Sequence, residues 1–347
     1  PANEPAGGLR REAHAVRAGL RRSQFLETAE AMYLTSGYVY DSAAQAEATF
    51  KEEIERYSYS RYANPTVSMF EERLAALEGA EACYATPTGM SAVFAVLGGL
   101  CGAGDRIVAS RALFGTCYAI CAEVLPRWGV ETVFVDGTDL EQWRAALSVP
   151  TTAVFFETPS NPTMTIVDIA AVAELAHAAG ATVVVDNVFG TPLFSSPIAH
   201  GADVVVYSST KHIDGQGRIL GGAVLGPEKL LRDVVRPMIR VLGLTLSAFN
   251  AWVLVKSLET MDLRLRAQAA GAAQVANWLQ SRPEVVQVLY PGLASHPQAE
   301  LIARQMTGAG TVLTFTLDAD KAGAFRVLDA LRVLDISNNL GDTKSLV

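Results

Sequence analysis

Asn161, Asp186 and Lys211 each come shortly after an apolar run rich in valine or phenylalanine. Continuous apolar runs of this kind predict buried parallel strands. The carboxyl ends of parallel strands meet at one edge of the sheet, and this is where α/β folds bind ligands. A lone lysine after a strand is more commonly a solvated loop residue, but three such strand ends favour a site that brings an amine, a carboxylate and an amide together.

Those three groups match the needs of pyridoxal phosphate. A lysine amine can hold the aldehyde as a Schiff base, a carboxylate can keep the pyridine nitrogen protonated, and an amide can bond the ring hydroxyl. Residues 86–92, Thr-Pro-Thr-Gly-Met-Ser-Ala, form a hydroxyl-and-glycine turn before an apolar helix, which predicts backbone N–H groups pointing at an anion. Ser208 and Thr210 add hydroxyl donors, so the sequence predicts a pyridoxal phosphate site.

Bulk composition predicts a globular enzyme and few macromolecular partners. The chain has 347 residues, 50% of them hydrophobic and 18% charged, with a net charge of −8 and a pI near 5.2. Because basic residues form no cluster larger than a pair, nucleic acid is not an expected partner. No apolar run is long enough to span a membrane and the N-terminus lacks signal-peptide features, so we expect a cytoplasmic protein.

The cysteines do not predict a metal site. The four cysteines have no metal-ligand spacing, and Cys117 and Cys121 fall one helical turn apart among apolar neighbours. We therefore expect buried free thiols and no bound metal.

Helical and strand patterns alternate from residue 67 to residue 208. This favours a mostly parallel sheet flanked by helices on both faces, with the fold class α/β. A further strand at 221–226 is expected at the far side of the sheet, where it could run antiparallel. We predict helices at 67–77, 89–101, 116–128, 139–147 and 168–179, and strands at 106–110, 131–136, 152–157, 181–186 and 203–208.

The two ends of the chain differ from this regular part. The composition of residues 1–22, which has no steady period, predicts a mobile or partner-bound arm. The aromatic residues within 23–50 predict an extended segment that packs against another surface of the protein. A single long helix is expected over 247–279, leading into a smaller α+β domain. We predict three parts, which are an N-terminal arm at 1–64, a large α/β domain at 65–255 and a small domain at 256–347. Because the chain stops where packed structure is expected, we also expect the sequence to be incomplete.

Five motifs in one order give the chain a family resemblance. It resembles the pyridoxal phosphate enzymes of cysteine and methionine metabolism, which have fold type I, the aspartate aminotransferase-like fold. One such motif would be weak, but five in the same order leave little room for chance. The motifs are Tyr59-Ser60-Arg61 with Asn64-Pro65-Thr66, Thr88-Gly89-Met90, Glu157 to Pro162, Asp186-Asn187 and Ser208 to Lys211.

The resemblance implies a role for each matching residue. Lys211 is implied as the Schiff-base lysine, Asp186 as the partner of the pyridine nitrogen and Asn161 as a contact of the ring oxygen. The phosphate contacts implied are backbone N–H groups of Gly89 and Met90 and the hydroxyls of Ser208 and Thr210.

A cross-subunit contact is implied as well. The family residues that match Tyr59 and Arg61 reach the phosphate of a neighbouring subunit, which implies at least a dimer and usually a homotetramer made of two dimers. The expected partners are thus further copies of the chain, together with the small-molecule substrates.

Two departures from the family pattern concern the substrate. Many members stack a tyrosine on the ring where this chain has Phe114, so stacking is expected without the phenol's hydrogen bond. A Ser-Leu-Gly-Gly stretch that contacts substrate in other members is matched here by Asn339-Leu340-Gly341-Asp342, which implies Asn339 as a substrate-binding residue. In the family, the arginine that binds the substrate carboxylate lies further along the chain than the position that matches Val347. Either that arginine or Arg218 could hold the succinyl group or the α-carboxylate of the substrate.

The residues 212–218 and 338–346 resemble the sulfhydrylase branch of the family. That resemblance implies γ-replacement, in which O-succinyl-L-homoserine and sulfide give L-homocysteine and succinate. A cystathionine γ-synthase, an O-acetylhomoserine sulfhydrylase and a cystathionine or methionine γ-lyase remain alternatives. A nucleotide-binding oxidoreductase is disfavoured because no G-x-G-x-x-G follows the first strand and the phosphate turn precedes the first long strand. An inactive scaffold is disfavoured because it would gain nothing from retaining a buried lysine and aspartate.

Overall fold

The computed structural model describes residues 10–347. Nine strands lie within those residues, and short valine-rich stretches account for several of them because β-branched side chains fit a pleated, buried surface. The strands are β1 (Ala82–Thr86), β2 (Arg106–Ser110), β3 (Glu131–Val135), β4 (Ala153–Glu157), β5 (Thr182–Asp186), β6 (Val204–Tyr207), β7 (Gly222–Gly226), β8 (Val285–Leu289) and β9 (Thr314–Leu317).

Helices connect most of these strands. The α-helices are α1 (Arg11–Arg17), α2 (Ala43–Phe50), α3 (Pro65–Glu78), α4 (Gly89–Leu100), α5 (Gly115–Ala119), α6 (Leu140–Ala146), α7 (Ile169–Ala178), α8 (Thr191–Phe194), α9 (Glu228–Leu230), α10 (Arg236–Leu242), α11 (Ala248–Leu258), α12 (Met261–Gln280), α13 (Ala299–Gln305) and α14 (Lys321–Asp329).

Seven strands form one sheet in the order β1-β7-β6-β5-β4-β2-β3. Neighbours from β6 through β3 pair in parallel, while β7 is antiparallel to both β6 and β1. The carboxyl ends of β1 and of the five parallel strands therefore lie at one edge of the sheet, as the sequence predicts.

Apolar layers cover both faces of this sheet. On one face Val154, Phe156 and Val185 pack in a core with residues of α3, α7 and α11. On the other face Phe155 and Val184 pack with residues of α4 and α10. The mostly parallel sheet flanked by helices is confirmed, and the four cysteines are buried free thiols, as predicted.

The first strand corrects the prediction about the phosphate turn. We expected this turn to precede the first long strand, but it directly follows β1, whose short sequence Ala-Cys-Tyr-Ala-Thr has little β-branched character. The strand forms nevertheless because β7 supplies a partner along its whole length. Strand β7 is antiparallel as expected, but it lies one position in from the edge of the sheet because β1 pairs outside it.

Two predicted long helices are interrupted. The expected helix at 247–279 is two helices, α11 and α12, with Glu259 and Thr260 between them. Glu259 contacts Lys256 and lies 3.6 Å from Arg73, and no glycine or proline marks the break. The expected helix at 116–128 continues from α5 as a π-helical turn and then a 3₁₀ turn up to Trp128.

Residues 10–22 pack on the chain's own core. Residues 1–9 of the predicted arm lie outside the described part of the chain. Helix α1 buries Ala15 against α3, and Arg11 Nε donates to the carbonyl of Leu77 at 2.8 Å. Farther along, the ion pair between Arg73 and Glu30 is 2.7 Å long and almost fully buried. Residues 23–42 are irregular apart from an isolated bridge between Gly37 and Tyr59, and α2 forms after the N-cap Ser42.

Strands β8 and β9 form a separate antiparallel pair. This pair packs in a small apolar cluster with Ala276 and Leu279 of α12, and Tyr290 bonds the carbonyls of Ala269 and Gly310. Among residues 10–347, no helix is both long and apolar enough to cross a membrane.

Candidate active site

A cavity of about 230 Å³ opens at the carboxyl edge of the large sheet. It brings together eight of the predicted site residues from five different segments. They are Gly89, Met90, Phe114, Asn161, Asp186, Ser208, Thr210 and Lys211.

Lys211 lies in the turn after β6 and is half-buried. Its Nζ donates to Asn339 Oδ1 at 2.7 Å, and burial lowers the pKa of its amine. The next residue, His212, is buried between the Val188 carbonyl at 3.2 Å and Thr311 Oγ1 at 2.7 Å. Burial lowers the pKa of His212 to about 4, so the ring is neutral near pH 7 and serves to anchor the lysine's segment.

Asp186 is the last residue of β5 and is 7% exposed. Its Oδ1 accepts from the Val188 N–H at 3.0 Å. Burial raises the pKa of the carboxyl to about 7. None of the ion pairs within residues 10–347 involves Asp186, so this buried carboxyl faces the cavity without a protein cation.

The first turn of α4 forms the predicted anion cradle. Thr88 is the N-cap, and its hydroxyl oxygen accepts from the Ser91 N–H at 3.0 Å. The free N–H groups of a helix's first turn carry partial positive charge and suit a phosphate. A Cβ on Gly89 would lie 2.7 Å from Ser208 Cβ, so only glycine lets the cradle approach the segment that leads to Lys211.

The two hydroxyls expected at the phosphate differ in their surroundings. Ser208 lines the cavity. Thr210 also lines it, but its hydroxyl is engaged with the peptide of Gly221, accepting from the N–H at 3.0 Å and lying 3.2 Å from the carbonyl oxygen. The phosphate contact of Thr210 stays a prediction, and the structure adds that this side chain ties the Lys211 turn to the start of β7.

Residues 338–341 close one side of the cavity. Asn338 and Leu340 line it, and Asn339 holds the Lys211 amine. Gly341 has φ of +76°, and a Cβ there would lie 2.6 Å from the His212 nitrogen. This stretch therefore packs directly on the backbone beside Lys211.

Residues 12–347 match the family described as Cys/Met metabolism PLP-dependent enzyme. The chain belongs to this family. It is 62% identical over 336 residues to an O-succinylhomoserine sulfhydrylase of Mycobacterium tuberculosis, covering 96% of this chain and 83% of the relative. An O-succinylhomoserine sulfhydrylase of Pseudomonas aeruginosa is 47% identical over 333 residues, covering 96% of this chain and 82% of the relative.

The fold of this PLP-dependent enzyme also matches a solved relative. The crystal structure of cystathionine gamma synthase from Xanthomonas oryzae pv. oryzae in complex with aminoacrylate and cysteine superposes with a TM-score of 0.92 at 33% identity. The match covers 97% of this chain and 86% of that chain. The fold type I architecture is thus confirmed.

The cavity of the enzyme fits pyridoxal phosphate. Within residues 10–347, Asp186 supplies a buried carboxyl that faces the cavity without a protein cation, as a protonated pyridine nitrogen requires. Within the same residues, Lys211 supplies an amine that has no carboxylate partner. The first turn of α4 supplies N–H groups for the phosphate. Within residues 10–347, no cluster of His, Cys, Asp and Glu has the arrangement of a metal site.

Tyr59 and Arg61 do not line the cavity of their own chain. Arg61 donates to the backbone carbonyl of Arg240, and its guanidinium lies 4.7 Å from the centre of the Tyr62 ring. Tyr59 is 43% exposed. In a single chain, Tyr59 and Arg61 therefore do not contribute to that chain's own cavity, in keeping with the prediction that they serve the cavity of a neighbouring subunit.

Sequence reasoning missed several cavity residues and left one arginine unassigned. Arg218 pairs with the buried Asp214 at 2.9 Å and bonds Ser257, and it does not line the cavity. Glu157 lines the cavity, but no role was assigned to it from the sequence. It ends β4 as Asp186 ends β5, and this position at a strand end is the sequence signal that could have identified it. Cys117, Val188 and Leu220 also line the cavity, and nothing in their local sequence marks them.

Proposed function

We propose that this enzyme catalyses γ-replacement on O-succinyl-L-homoserine, with sulfide as the acceptor. The ester bond from Cγ to succinate breaks, the sulfur of hydrosulfide bonds to Cγ, and the products are L-homocysteine and succinate. The observation that carries the proposal is the 62% identity to an O-succinylhomoserine sulfhydrylase over 96% of the chain, against 33% to the cystathionine γ-synthase structure.

The side chains around the cavity divide the work. Bound pyridoxal phosphate supplies an aldehyde that joins an amine and a protonated ring that withdraws electrons from the substrate Cα. Lys211 is the base for the Cα proton and then for a Cβ proton, because its lowered pKa favours the neutral amine. Asp186 would hold the proton of the ring nitrogen, Phe114 would stack on the ring, and Asn161 would bond the ring oxygen.

Asn339 positions the amine of Lys211. Its side-chain oxygen accepts from Lys211 Nζ at 2.7 Å, which holds the amine at the cavity wall when it is not bonded to the cofactor. The neighbouring Leu340 makes the wall apolar. An amide holds the amine without adding a charge that would compete with the substrate carboxylate.

The acceptor follows from the size and charge of the two thiols. Hydrosulfide is small and carries one charge, whereas cysteine brings an ammonium and a carboxylate that both need partners. Burying such groups without partners costs several kcal/mol. Apart from Glu157, Asp186 and Lys211, the side chains that line the cavity are apolar or neutral, so they offer few partners for the two charges of cysteine.

We also propose how the chain assembles and where it works. Tyr59 and Arg61 reach the phosphate of a neighbouring subunit, so the active unit is a dimer at least and a homotetramer in full. The arm at 1–64 makes that contact, residues 65–255 form the large domain and residues 256–347 form the small one. The enzyme works in the cytoplasm on small amino-acid substrates, without nucleic acid or membrane partners.

A side-by-side assay of the full-length protein tests the reaction. O-succinyl-L-homoserine is offered with sulfide, with cysteine or without a thiol, and O-acetyl-L-homoserine is offered with sulfide. We expect kcat/KM to be highest for the succinyl ester with sulfide and homocysteine to be the product. A higher kcat/KM with cysteine than with sulfide would instead assign a cystathionine γ-synthase. A higher kcat/KM with the acetyl ester would assign an O-acetylhomoserine sulfhydrylase. Release of a keto acid without any thiol would assign a lyase.

A further inference from the structure

Glu157 is a buried carboxyl at the cavity that the proposed reaction does not use. It is the last residue of β4, it lies opposite Asp186 in the register of β4 and β5, and it is 3% exposed. The two carboxyl groups therefore come from neighbouring positions at the same edge of the sheet.

The two oxygens of Glu157 bind two different segments. Oε2 accepts from the Phe114 N–H at 2.7 Å, and Oε1 accepts from the Asn161 N–H at 3.1 Å. Phe114 precedes α5 after strand β2, whereas Asn161 lies in the loop after β4. Both of those side chains line the cavity, so one carboxylate links the two segments that carry them.

Burying Glu157 beside Asp186 is unfavourable for the stability of the folded protein. Burial and the neighbouring Asp186 raise the pKa of Glu157 well above its ordinary value, against the effect of the two N–H donors. A buried carboxyl beside a second carboxyl costs free energy even when its oxygens accept hydrogen bonds, because the group loses water and the two carboxylates repel each other. A neutral side chain would avoid that cost. Glutamine, however, has one acceptor oxygen and one NH₂ group, so its two terminal atoms cannot each accept from an N–H donor as the two carboxyl oxygens do.

We propose that Glu157 is a positioning residue that sets the spacing between Phe114, which would stack on the cofactor ring, and Asn161, which would bond the ring oxygen. The inference rests on the proposed cofactor site and adds a residue that contacts neither substrate nor ring. Glu157 acts through the backbone of its two neighbours, whose side chains then meet the ring at a fixed separation.

Glu157→Gln tests this with Asp105→Asn as a matched control. Asp105 ties the amino ends of β2 and β4 at the opposite edge of the sheet, where it accepts from the Gly102 N–H at 2.7 Å and from the Thr152 hydroxyl at 2.6 Å. Each variant weakens one two-armed carboxylate link between the same two strands. Only the link made by Glu157 lies at the cavity.

Pyridoxal phosphate is titrated into cofactor-free protein, and its Kd and the visible circular dichroism of the bound cofactor are measured. We expect Glu157→Gln to raise Kd at least tenfold and to change the visible dichroism, while Asp105→Asn changes Kd less than twofold. In an Asn161→Ala background, the effect of Glu157→Gln on Kd is expected to be smaller than in the wild type, because part of its action passes through Asn161.

Equal Kd values and dichroism for wild type and Glu157→Gln would overturn the positioning role. Strictly additive effects of Glu157→Gln and Asn161→Ala would overturn it as well. If the wild-type protein itself binds no pyridoxal phosphate, the proposed function fails instead, which separates the two ideas.

A measurement on the wild type covers the case in which Glu157→Gln does not fold. Hydrogen exchange resolved to single amides should show the Phe114 amide protected relative to those of Gly115 and Thr116, which occupy the first turn of α5 and lack intrahelical acceptors. The Asn161 amide should be protected as well. Exchange of the Phe114 and Asn161 amides as fast as that of Gly115 and Thr116 would contradict the link.

Discussion

A single carboxyl, Asp186, shows how the fold prepares the cavity for a cation. Burial raises its pKa to about 7, and the one hydrogen bond from the Val188 N–H does not offset the loss of water. A cationic ring nitrogen within the cavity would reverse this effect, because an opposite charge favours the carboxylate. Asp186 thus destabilises the cofactor-free folded protein and stabilises the protein that holds the cofactor.

The pH dependence of cofactor-free protein follows from that raised pKa. Between about pH 4 and about pH 7 the folded protein keeps a proton on Asp186 that the unfolded chain has released, so folding stability falls as pH rises. The loss is at most about 1.4 kcal/mol per pH unit for one group. We expect Asp186→Asn to remove this decline, so that cofactor-free Asp186→Asn has a higher Tm than wild type at pH 8 and nearly the same Tm at pH 4.

The control for that experiment is Asp136→Asn, an exposed aspartate at the carboxyl end of β3. Its Tm should follow the wild type at both pH values. A cofactor-free Asp186→Asn protein that is no more stable than wild type at pH 8 would show that Asp186 is not a strained buried carboxyl. With pyridoxal phosphate added, the same variant should bind more weakly than wild type.

At the scale of elements, strand ends carried most of the information in the sequence. The runs that become β4, β5 and β6 are apolar on both faces, so their strand character and their common edge could be predicted, and with them the meeting of Asn161, Asp186 and Lys211. The turn before α4 was also recognisable, because a hydroxyl N-cap followed by glycine is a local signal.

Other elements depend on contacts that no local pattern encodes. Strand β1 exists because β7 pairs with it, and the break between α11 and α12 coincides with the contacts of Glu259 to Arg73 and Lys256. The N-terminal helix α1 depends on long-range bonds such as the one from Arg11 to the Leu77 carbonyl. Such pairings join residues far apart in the chain, which a window of sequence does not reveal.

The start of α4 yields a prediction at this scale. Gly89→Ala places a Cβ 2.7 Å from Ser208 Cβ and 2.9 Å from Ser208 Cα, which must push the first turn of α4 away from the Lys211 segment. We expect the affinity for pyridoxal phosphate, measured by titration of cofactor-free protein, to fall at least tenfold.

Gly98→Ala in the same helix is the control. Its Cβ would lie at 3.4 to 3.5 Å from the side chains of Phe94 and Met238, an ordinary contact, and alanine favours a helix interior over glycine by about 1 kcal/mol. We expect this variant to keep its affinity for the cofactor and to unfold at an equal or higher temperature. Equal cofactor affinity for Gly89→Ala and wild type would contradict the assignment of the cradle.

At the scale of the whole molecule, the proposal is that Tyr59 and Arg61 of a neighbouring subunit complete the site. Tyr59 and Arg61 lie away from the cavity of their own subunit, and the resemblance assigns them to the neighbour's phosphate. Mixing inactive Lys211→Ala subunits with inactive Arg61→Ala subunits should therefore restore part of the activity, because a hybrid dimer holds one site with both residues intact.

Subunit exchange must be shown independently in that experiment, for example by mass spectrometry of the mixed assemblies. The matched control mixes Lys211→Ala with Lys211→Ala/Arg61→Ala, which leaves no site with an intact lysine and should give no recovery. If hybrids form and no activity returns in the test mixture, each site is built within one subunit and the cross-subunit assignment is wrong.

The most direct test of the cavity as the cofactor site is the position of the bond between protein and pyridoxal phosphate. Borohydride reduces the link between a lysine amine and the cofactor aldehyde to a stable one, and peptide mass mapping then locates the label. We predict loss of the visible absorbance band on reduction and a single labelled peptide that contains Lys211. A label on another lysine, or none in protein that carries bound cofactor, would contradict the assignment of Lys211, Asp186 and the first turn of α4 to one catalytic site.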